Sequence, residues 1–242
     1  MNGKTVKKQG INNNTKPRLK MRQILPTDQA AMEIVTRAAY PKLTHPHWTS
    51  EQLITLLSLF PKGQICLEHR GVIIAFALCI IVDYSKFEDD HNYEQITGNF
   101  SFSTHNNNGD ILYGIDICVH PEFRNLRLGR RLYNARKEIC ENLNLKGIVI
   151  GGRMPRYHKF SYRMKPKEYI EKVRVKKIYD PVLFFQLTNG FHVKKIVPNY
   201  LPSDKQSHAN AIIMRWDNIY YEKPQTSALT EIKSVVRIGM VQ

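Results

Sequence analysis

The spacing of apolar and polar positions changes several times along the chain, and each change marks a predicted element. "LKMRQIL", residues 19–25, alternates and predicts a short strand. Thr27 or Asp28, beside Pro26, then caps the predicted helix "AAMEIVTRAAY". A second helix is predicted over "TSEQLITLLSLF", with Thr49 or Ser50 as cap and Leu53, Ile54, Leu56, Leu57 and Leu59 as its packing face. Next, "GQICLEHRGVIIAFALCIIVDY" predicts a hairpin turning at His69-Arg70-Gly71. Its second strand, residues 72–82, is apolar on both faces and therefore central. The stretch "SKFEDDHNYEQITGNFSFSTHNNNGD" has no clear period and reads as an excursion or flap.

The pattern sharpens from Ile111. "ILYGIDICV" alternates as a strand, and "LGRRLYNARKEICENLNL" repeats apolar residues at Leu128, Leu132, Ala135, Ile139 and Leu143, the spacing of a helix. "KGIVIGG" supplies the next strand, which a helical crossover makes parallel to the previous one. Asp180-Pro181 opens and Asn189-Gly190 closes a short helix over "VLFFQLTN", and "FHVKKIV" and "NAIIMRWD" are the closing strands. The fold class is a mixed α/β domain, a central mixed sheet flanked by helices.

Composition narrows the functional classes. With 242 residues and 42% hydrophobic content the chain has material for one large core. Its longest apolar run, residues 72–82, is far short of the roughly 20 residues of a membrane span. The N-terminal "MNGKTVKKQGINNNTKPRLK" lacks the apolar segment of a signal peptide. Cys66, Cys79, Cys118 and Cys140 are widely spaced in apolar surroundings, which argues against a zinc ribbon or a disulfide framework and for packing in a reduced, cytoplasmic setting. His45 and His47 have no third ligand nearby in sequence, so no metal is expected.

Charge then asks for a partner. Thirty-six Lys and Arg against 21 Asp and Glu give +15 and call for an anion: nucleic acid, an anionic membrane or a phosphorylated small molecule. The excess is concentrated in the N-terminal tail, in residues 153–177, and in "VHPEFRNLRLGRRLY", residues 119–133. That last stretch lies between a predicted strand and a predicted helix. A strand-to-helix turn turns the helix's unpaired N–H groups and positive dipole end toward one point, an anion cradle. Arg124, Arg127, Arg130 and Arg131 add charge around it, and a pyrophosphate would engage several amides at once.

These residues carry a family resemblance. "DICVHPEFRNLRLGRRLY" resembles motif A of the GNAT acetyltransferases, Val-x-Pro followed by R/Q-x-x-G-x-G/A, whose loop amides hold the pyrophosphate of acetyl-CoA. Arg124 falls on the first position of the loop and Gly129 on the last, while Arg127 replaces the middle glycine. The resemblance implies a GNAT fold over about residues 18–222 and acetyl-CoA as co-substrate. Residues Arg124, Asn125, Leu126, Arg127, Leu128, Gly129 and Arg130 would hold the pyrophosphate, with Ile117, Cys118 and Val119 along the pantetheine.

For a catalytic base, Asp116 stands out, since a carboxylate within "GIDICV" is costly to bury unless solvated or paired. It is equally readable as a structural carboxylate bonded to a neighbouring strand or loop. Regular alternation would put Tyr113, Ile117 and Val119 on one face and Asp116 on the other. Many GNAT enzymes place an acidic tyrosine four residues before a Gly-Phe pair; counting back from Gly190-Phe191 lands on Gln186, beside Phe185. Tyr157, taken first, or Tyr162 or His158 would then replace it; otherwise the thiolate leaves unprotonated or there is no catalysis. Cys118 and Cys140 read as packing residues, and Tyr220 and Tyr221 as anchors for the domain's end.

A longer similarity, through "LFPKGQICLE", "QITGNFSFSTH", the motif region and "RWDNIYYE", points to the GNAT module that precedes a carbon-nitrogen hydrolase (nitrilase-type) domain in bifunctional proteins. "VVRIGMVQ", residues 235–242, resembles the first strand of such a domain, or else is a last strand of this one. The expected organisation is a basic tail (1–17), a GNAT domain (18–222), and a linker with the start of an attached domain (223–242). Three functions follow: acetyl transfer from acetyl-CoA to an amine, acyl-CoA binding that regulates an attached hydrolase, and, least supported, nucleic-acid binding through basic surfaces such as "RYHKFSYRMK".

Overall fold

A computed structural model describes residues 19–41 and 48–223. The basic tail, His45, His47 and "VVRIGMVQ" lie outside the described residues. The elements in chain order are β1 (Leu19–Gln23), α1 (Gln29–Ala39), α2 (Ser50–Leu59), β2 (Ile65–His69), β3 (Val72–Val82), α3 (Tyr93–Thr97), β4 (Ile111–Val119), α4 (Leu128–Asn142), β5 (Gly147–Gly152), α5 (Pro166–Arg174), α6 (Pro181–Thr188), β6 (His192–Val197) and β7 (Ala211–Asp217). Seven strands form one sheet in the order β1-β2-β3-β4-β5-β7-β6. Only the β4–β5 pair is parallel, as a helical crossover through α4 requires.

Local chemistry accounts for the element ends. Thr49 caps α2 by accepting from the Gln52 amide, while the Gln52 side chain accepts from the Thr49 amide in return. Asp180 caps α6 by accepting from the Val182 and Leu183 amides, with Pro181 at the first helical position. Arg70 and Gly71 both take positive φ at the β2–β3 turn. In β3 every residue after Val72 is buried, which makes this strand the spine of the sheet, covered on both faces.

One face is packed by α1, α2 and the segment after β3; the other carries α4, α5 and α6. The segment after β3 is therefore no flap. Its Ile96 and Phe102 are fully buried, α3 is capped by Asn92, and Thr104 ties it back by donating to the Ile96 carbonyl. Short-range period missed it because its turns rest on positive-φ residues such as Gly98, Asn99, Phe100 and Phe102. Tyr220 is likewise no anchor: it is largely exposed, and the end is held instead by Asn218 on the Leu145 carbonyl and by Asn144 on Glu222.

The feature that positions the site is a break in the sheet. β4 pairs with β5 only from Ile111 to Gly114, against Gly147 to Ile150. On its other side β4 bulges: Leu78 faces Asp116 but Cys79 faces Gly114, leaving Ile115 as the extra residue. The bulge reverses the alternation, so the expected shared face of Tyr113 and Ile117 is corrected. Tyr113 and Ile115 pack with Trp48 and Val35, whereas Ile117 and Val119 pack toward Leu128 and Leu132 of α4.

Candidate active site

A cavity of about 700 Å³ occupies the opening between the diverging ends of β4 and β5. Its walls come from both faces of the sheet. Tyr40, Trp48, Tyr93 and Tyr200 line it on the α1–α2 side, and Tyr133, Arg136 and Gln186 on the α4–α6 side. Two glycines of β5 make room on alternate faces: a Cβ on Gly151 would lie 2.3 Å from the Tyr200 ring, and one on Gly152 would lie 2.4 Å from Gln186 Oε1.

Asp116 stands at the waist of this opening. Its Oδ2 accepts from Trp48 Nε1 at 2.9 Å. Burial pushes its carboxyl above the ordinary range, an effect opposed by the indole bond and by the positive charges of Arg136 and Arg153. Arg136, on α4, is almost wholly buried, and its Nη2 donates to the Leu78 carbonyl at 2.9 Å and to the Asp116 carbonyl. Those are the residues facing each other beside the bulge, so the guanidinium braces the bend. Gly114 leaves space for it, since a Cβ there would lie 2.9 Å from Arg136 Nη1. Arg153 is held by two 2.7 Å bonds to Asp204, whose carboxyl is drawn below the usual range by that guanidinium despite its burial.

On the α4–α6 side, Gln186 occupies the helical position where the resemblance expects a tyrosine, and Tyr133 stands beside it. Burial pushes the Tyr133 phenol up to about 12, opposed by the charge of Arg136 and by the neighbouring Gln186 amide. Gln186 Oε1 and Arg136 Nε are buried without a protein partner.

The loop between β4 and α4 has the form of a cradle. Asn125 and Arg127 both adopt left-handed backbone, with φ of 68° and 57°. Arg127 therefore takes the conformation that a glycine would enter freely, at a cost of about 1–2 kcal/mol for a side-chain-bearing residue. The first i→i−4 bond of α4 is donated by Arg131 to the Arg127 carbonyl, which leaves the amides of Leu128, Gly129 and Arg130 at the helix start without a carbonyl four residues back. Arg124, Asn125, Leu126, Arg127 and Arg130 are exposed, and among the described residues no carboxylate pairs with Arg124, Arg127, Arg130 or Arg131. Leu128 is buried under β2 and β3, and Gly129 lies against α6, where a Cβ would come 2.7 Å from the Phe185 ring.

The remaining expected residues separate. Ile117 lines the cavity, and its carbonyl accepts from the Tyr40 hydroxyl at 2.7 Å. The Cys118 side chain instead turns into the core toward the Val35 carbonyl, with burial pushing its thiol up, and neither Cys118 nor Val119 lines the cavity. Tyr157 is not brought to the cavity: its hydroxyl donates to the Met164 carbonyl at 3.1 Å and its ring packs on Tyr169. Tyr162 is exposed, and the His158 ring is bonded to the Pro155 carbonyl. Cys140 is buried, with its thiol pushed up to about 12 by burial. No group of three or more metal-ligating side chains occurs among the described residues.

Trp48, Tyr40, Tyr133, Arg136, Arg153 and Tyr200 were not singled out from sequence. Only Arg136 had a local signal: it stands four residues after Leu132, on the apolar stripe of α4.

Comparison with known proteins agrees with this architecture. The Acetyltransferase (GNAT) family pattern matches residues 29–159. The Bacillus subtilis "Probable hydrolase YhcX" is 43% identical over 195 residues, 81% of this chain, and the chain spans only 38% of that relative's length. The B. subtilis "Uncharacterized N-acetyltransferase YkwB" is 35% identical over 176 residues, covering 73% of this chain and 77% of the relative. Among solved structures, the GphF GNAT-like decarboxylase in complex with isobutyryl-CoA superposes with a TM-score of 0.68 at 20% identity, covering 82% of this chain and 98% of its own. With the split sheet, the motif loop and more than half of the sequence matched, the chain belongs to the GNAT acetyltransferase family.

Proposed function

We propose that the protein transfers an acetyl group from acetyl-CoA to an amine. The observation that carries this reading is the opening beyond Gly114, where one strand presents Asp116 at a cavity and then runs directly into the loop of free amides. The amides of residues 125–130 and the unpaired arginines hold the pyrophosphate, and Ile117 lies along the pantetheine. A thioester beside Gly114 and Asp116 then meets an amine entering from the Trp48 and Tyr93 side.

Attack on the thioester needs a nitrogen lone pair and a proton for the departing thiolate. Asp116, its carboxyl raised by burial, takes a proton from the nitrogen. Tyr133, protonated at neutral pH and adjacent to Gln186, supplies one to sulfur in place of the absent tyrosine. Tyr157 has no part in this scheme. The reading places the reaction in the cytoplasm without a metal. The test is release of free thiol from acetyl-CoA with a panel of primary amines, expected with the wild type and reduced by about two orders of magnitude or more in Asp116→Asn.

A second reading rests on the YhcX relationship. The chain spans 38% of that hydrolase-named relative, which favours an acyl-CoA-binding module attached to a nitrilase-type domain. Acetyl-CoA binding without thiol release to any amine would select it.

A further inference from the structure

The proposed transfer requires the attacking nitrogen to shed two protons. A primary aliphatic amine is an ammonium ion at neutral pH, and its adduct with a thioester still carries an excess N–H proton. Sulfur takes back only one, so a second must reach solvent. Asp116 accounts for one acceptor; the cavity wall holds a second route.

Tyr200 lies on the loop between β6 and β7 and lines the cavity. Its backbone carbonyl accepts from the Tyr93 amide at 2.9 Å, and its ring is seated against Gly151. The Tyr200 hydroxyl is 2.8 Å from the Tyr113 hydroxyl, which is 2.8 Å from His91 Nε2. All three side chains are buried, at 4%, 0% and 3% exposure, so the file leads from the cavity wall into the interior. His91 Nδ1 is buried beside the Phe87 and Glu88 backbone without a well-formed hydrogen bond. Three aromatic hydrocarbons would fill this volume without desolvating three polar groups, so packing alone does not explain the choice of residues. Tyr84, Phe87, Tyr113 and Tyr200 surround the His91 ring edge-on. The charged groups nearby are Asp89, which accepts from the Tyr84 hydroxyl at 2.8 Å, and Asp90, paired with Lys195 of β6 at 3.1 Å.

We propose that Tyr200, Tyr113 and His91 form a proton relay that takes the first proton from the ammonium form of the acceptor, an inference that rests on the amine-acetylation reading. The ammonium N–H bond breaks as its proton bonds to the Tyr200 oxygen. The Tyr200 proton moves to the Tyr113 oxygen, and the Tyr113 proton moves to His91 Nε2. The imidazolium so formed, near Asp89 and Asp90, returns its proton along the same three residues to water in the cavity once the product has left. Asp116 takes the second proton, from the adduct. Burial lowers the His91 pKa and so favours the neutral ring, and the relay requires its proton on Nδ1 with the Nε2 lone pair facing Tyr113.

The test is Tyr200→Phe, assayed by thiol release from acetyl-CoA with primary aliphatic and peptide N-terminal amines from about pH 6.5 to pH 10. The relay predicts at least roughly a tenfold loss near pH 7 that closes toward pH 10, where free amine is abundant, with acetyl-CoA affinity unchanged. Tyr113→Phe should show the same pH rescue. An equal loss at every pH overturns the relay and leaves the acetyl-transfer reading standing, whereas no turnover by the wild type with any amine removes both. Nitrogen-15 NMR of the histidines gives an independent check: a proton on His91 Nε2 in the resting protein overturns the relay whatever the rates.

Discussion

The guanidinium of Arg136 donates to the backbone carbonyl of Asp116, so the helix that begins at the Arg124–Gly129 loop also braces the strand that carries the proposed base. Loop, bulge and carboxylate are one mechanical unit. Arg136→Met would leave the Leu78 and Asp116 carbonyls without this donor and cost roughly 1–3 kcal/mol, measurable by denaturant unfolding. It would also remove a charge that holds the Asp116 carboxyl down, moving the acid limb of the activity profile to higher pH.

Asp116→Asn should separate function from stability. A carboxyl raised on folding contributes fully below its unfolded pKa, and the contribution is lost as pH rises through the folded one. The asparagine variant should therefore be at least as stable as the wild type at pH 7–8, with the difference disappearing in acid, while turnover falls. Thermal melts at about pH 3.5 and about pH 8 check this; lower stability at the higher pH would assign Asp116 a structural role.

Asp204 predicts the opposite slope. Its carboxyl is depressed on folding by Arg153, so its contribution is present above the unfolded pKa and lost as pH falls through the folded one. Asp204→Asn leaves Arg153 without its two-bond partner and should cost about 3–5 kcal/mol near neutrality, less below pH 4. Denaturant midpoints across pH 3–7 measure it.

Arg127 tests how the loop holds its ligand. Arg127→Gly releases a left-handed residue and keeps the amide, so acetyl-CoA affinity should stay within about fivefold and stability should change by no more than about 1 kcal/mol. Arg127→Val, β-branched at the same positive φ, should weaken binding by tenfold or more. Equal losses in both variants would show that the side-chain charge does the binding.

Much of the fold was legible because it is local. The capped helices, the hairpin at Arg70-Gly71 and the strand-loop-helix around Arg124 to Gly129 each follow from residues within a few positions of one another. The site was only half legible. Asp116, the loop and Tyr133 lie in one stretch, but their neighbours Tyr40, Trp48, Arg153 and Tyr200 come from outside it and are brought in by the fold. The bulge at Ile115 was hidden because it depends on the pairing of β3, not on the sequence of β4, and it is what turned the expected facing of Tyr113 around. Tyr157 is named from sequence only as a substitute for the missing tyrosine, and its hydroxyl is tied to the Met164 carbonyl.

The most direct measurement is a titration of acetyl-CoA followed on the backbone amide resonances. Saturable binding with the largest shifts at residues 125–130, and further shifts at Ile117 and Gly151, is the predicted result. No binding, or shifts confined to surfaces away from the loop and the β4–β5 opening, would contradict the assignment of this site to an acyl-CoA.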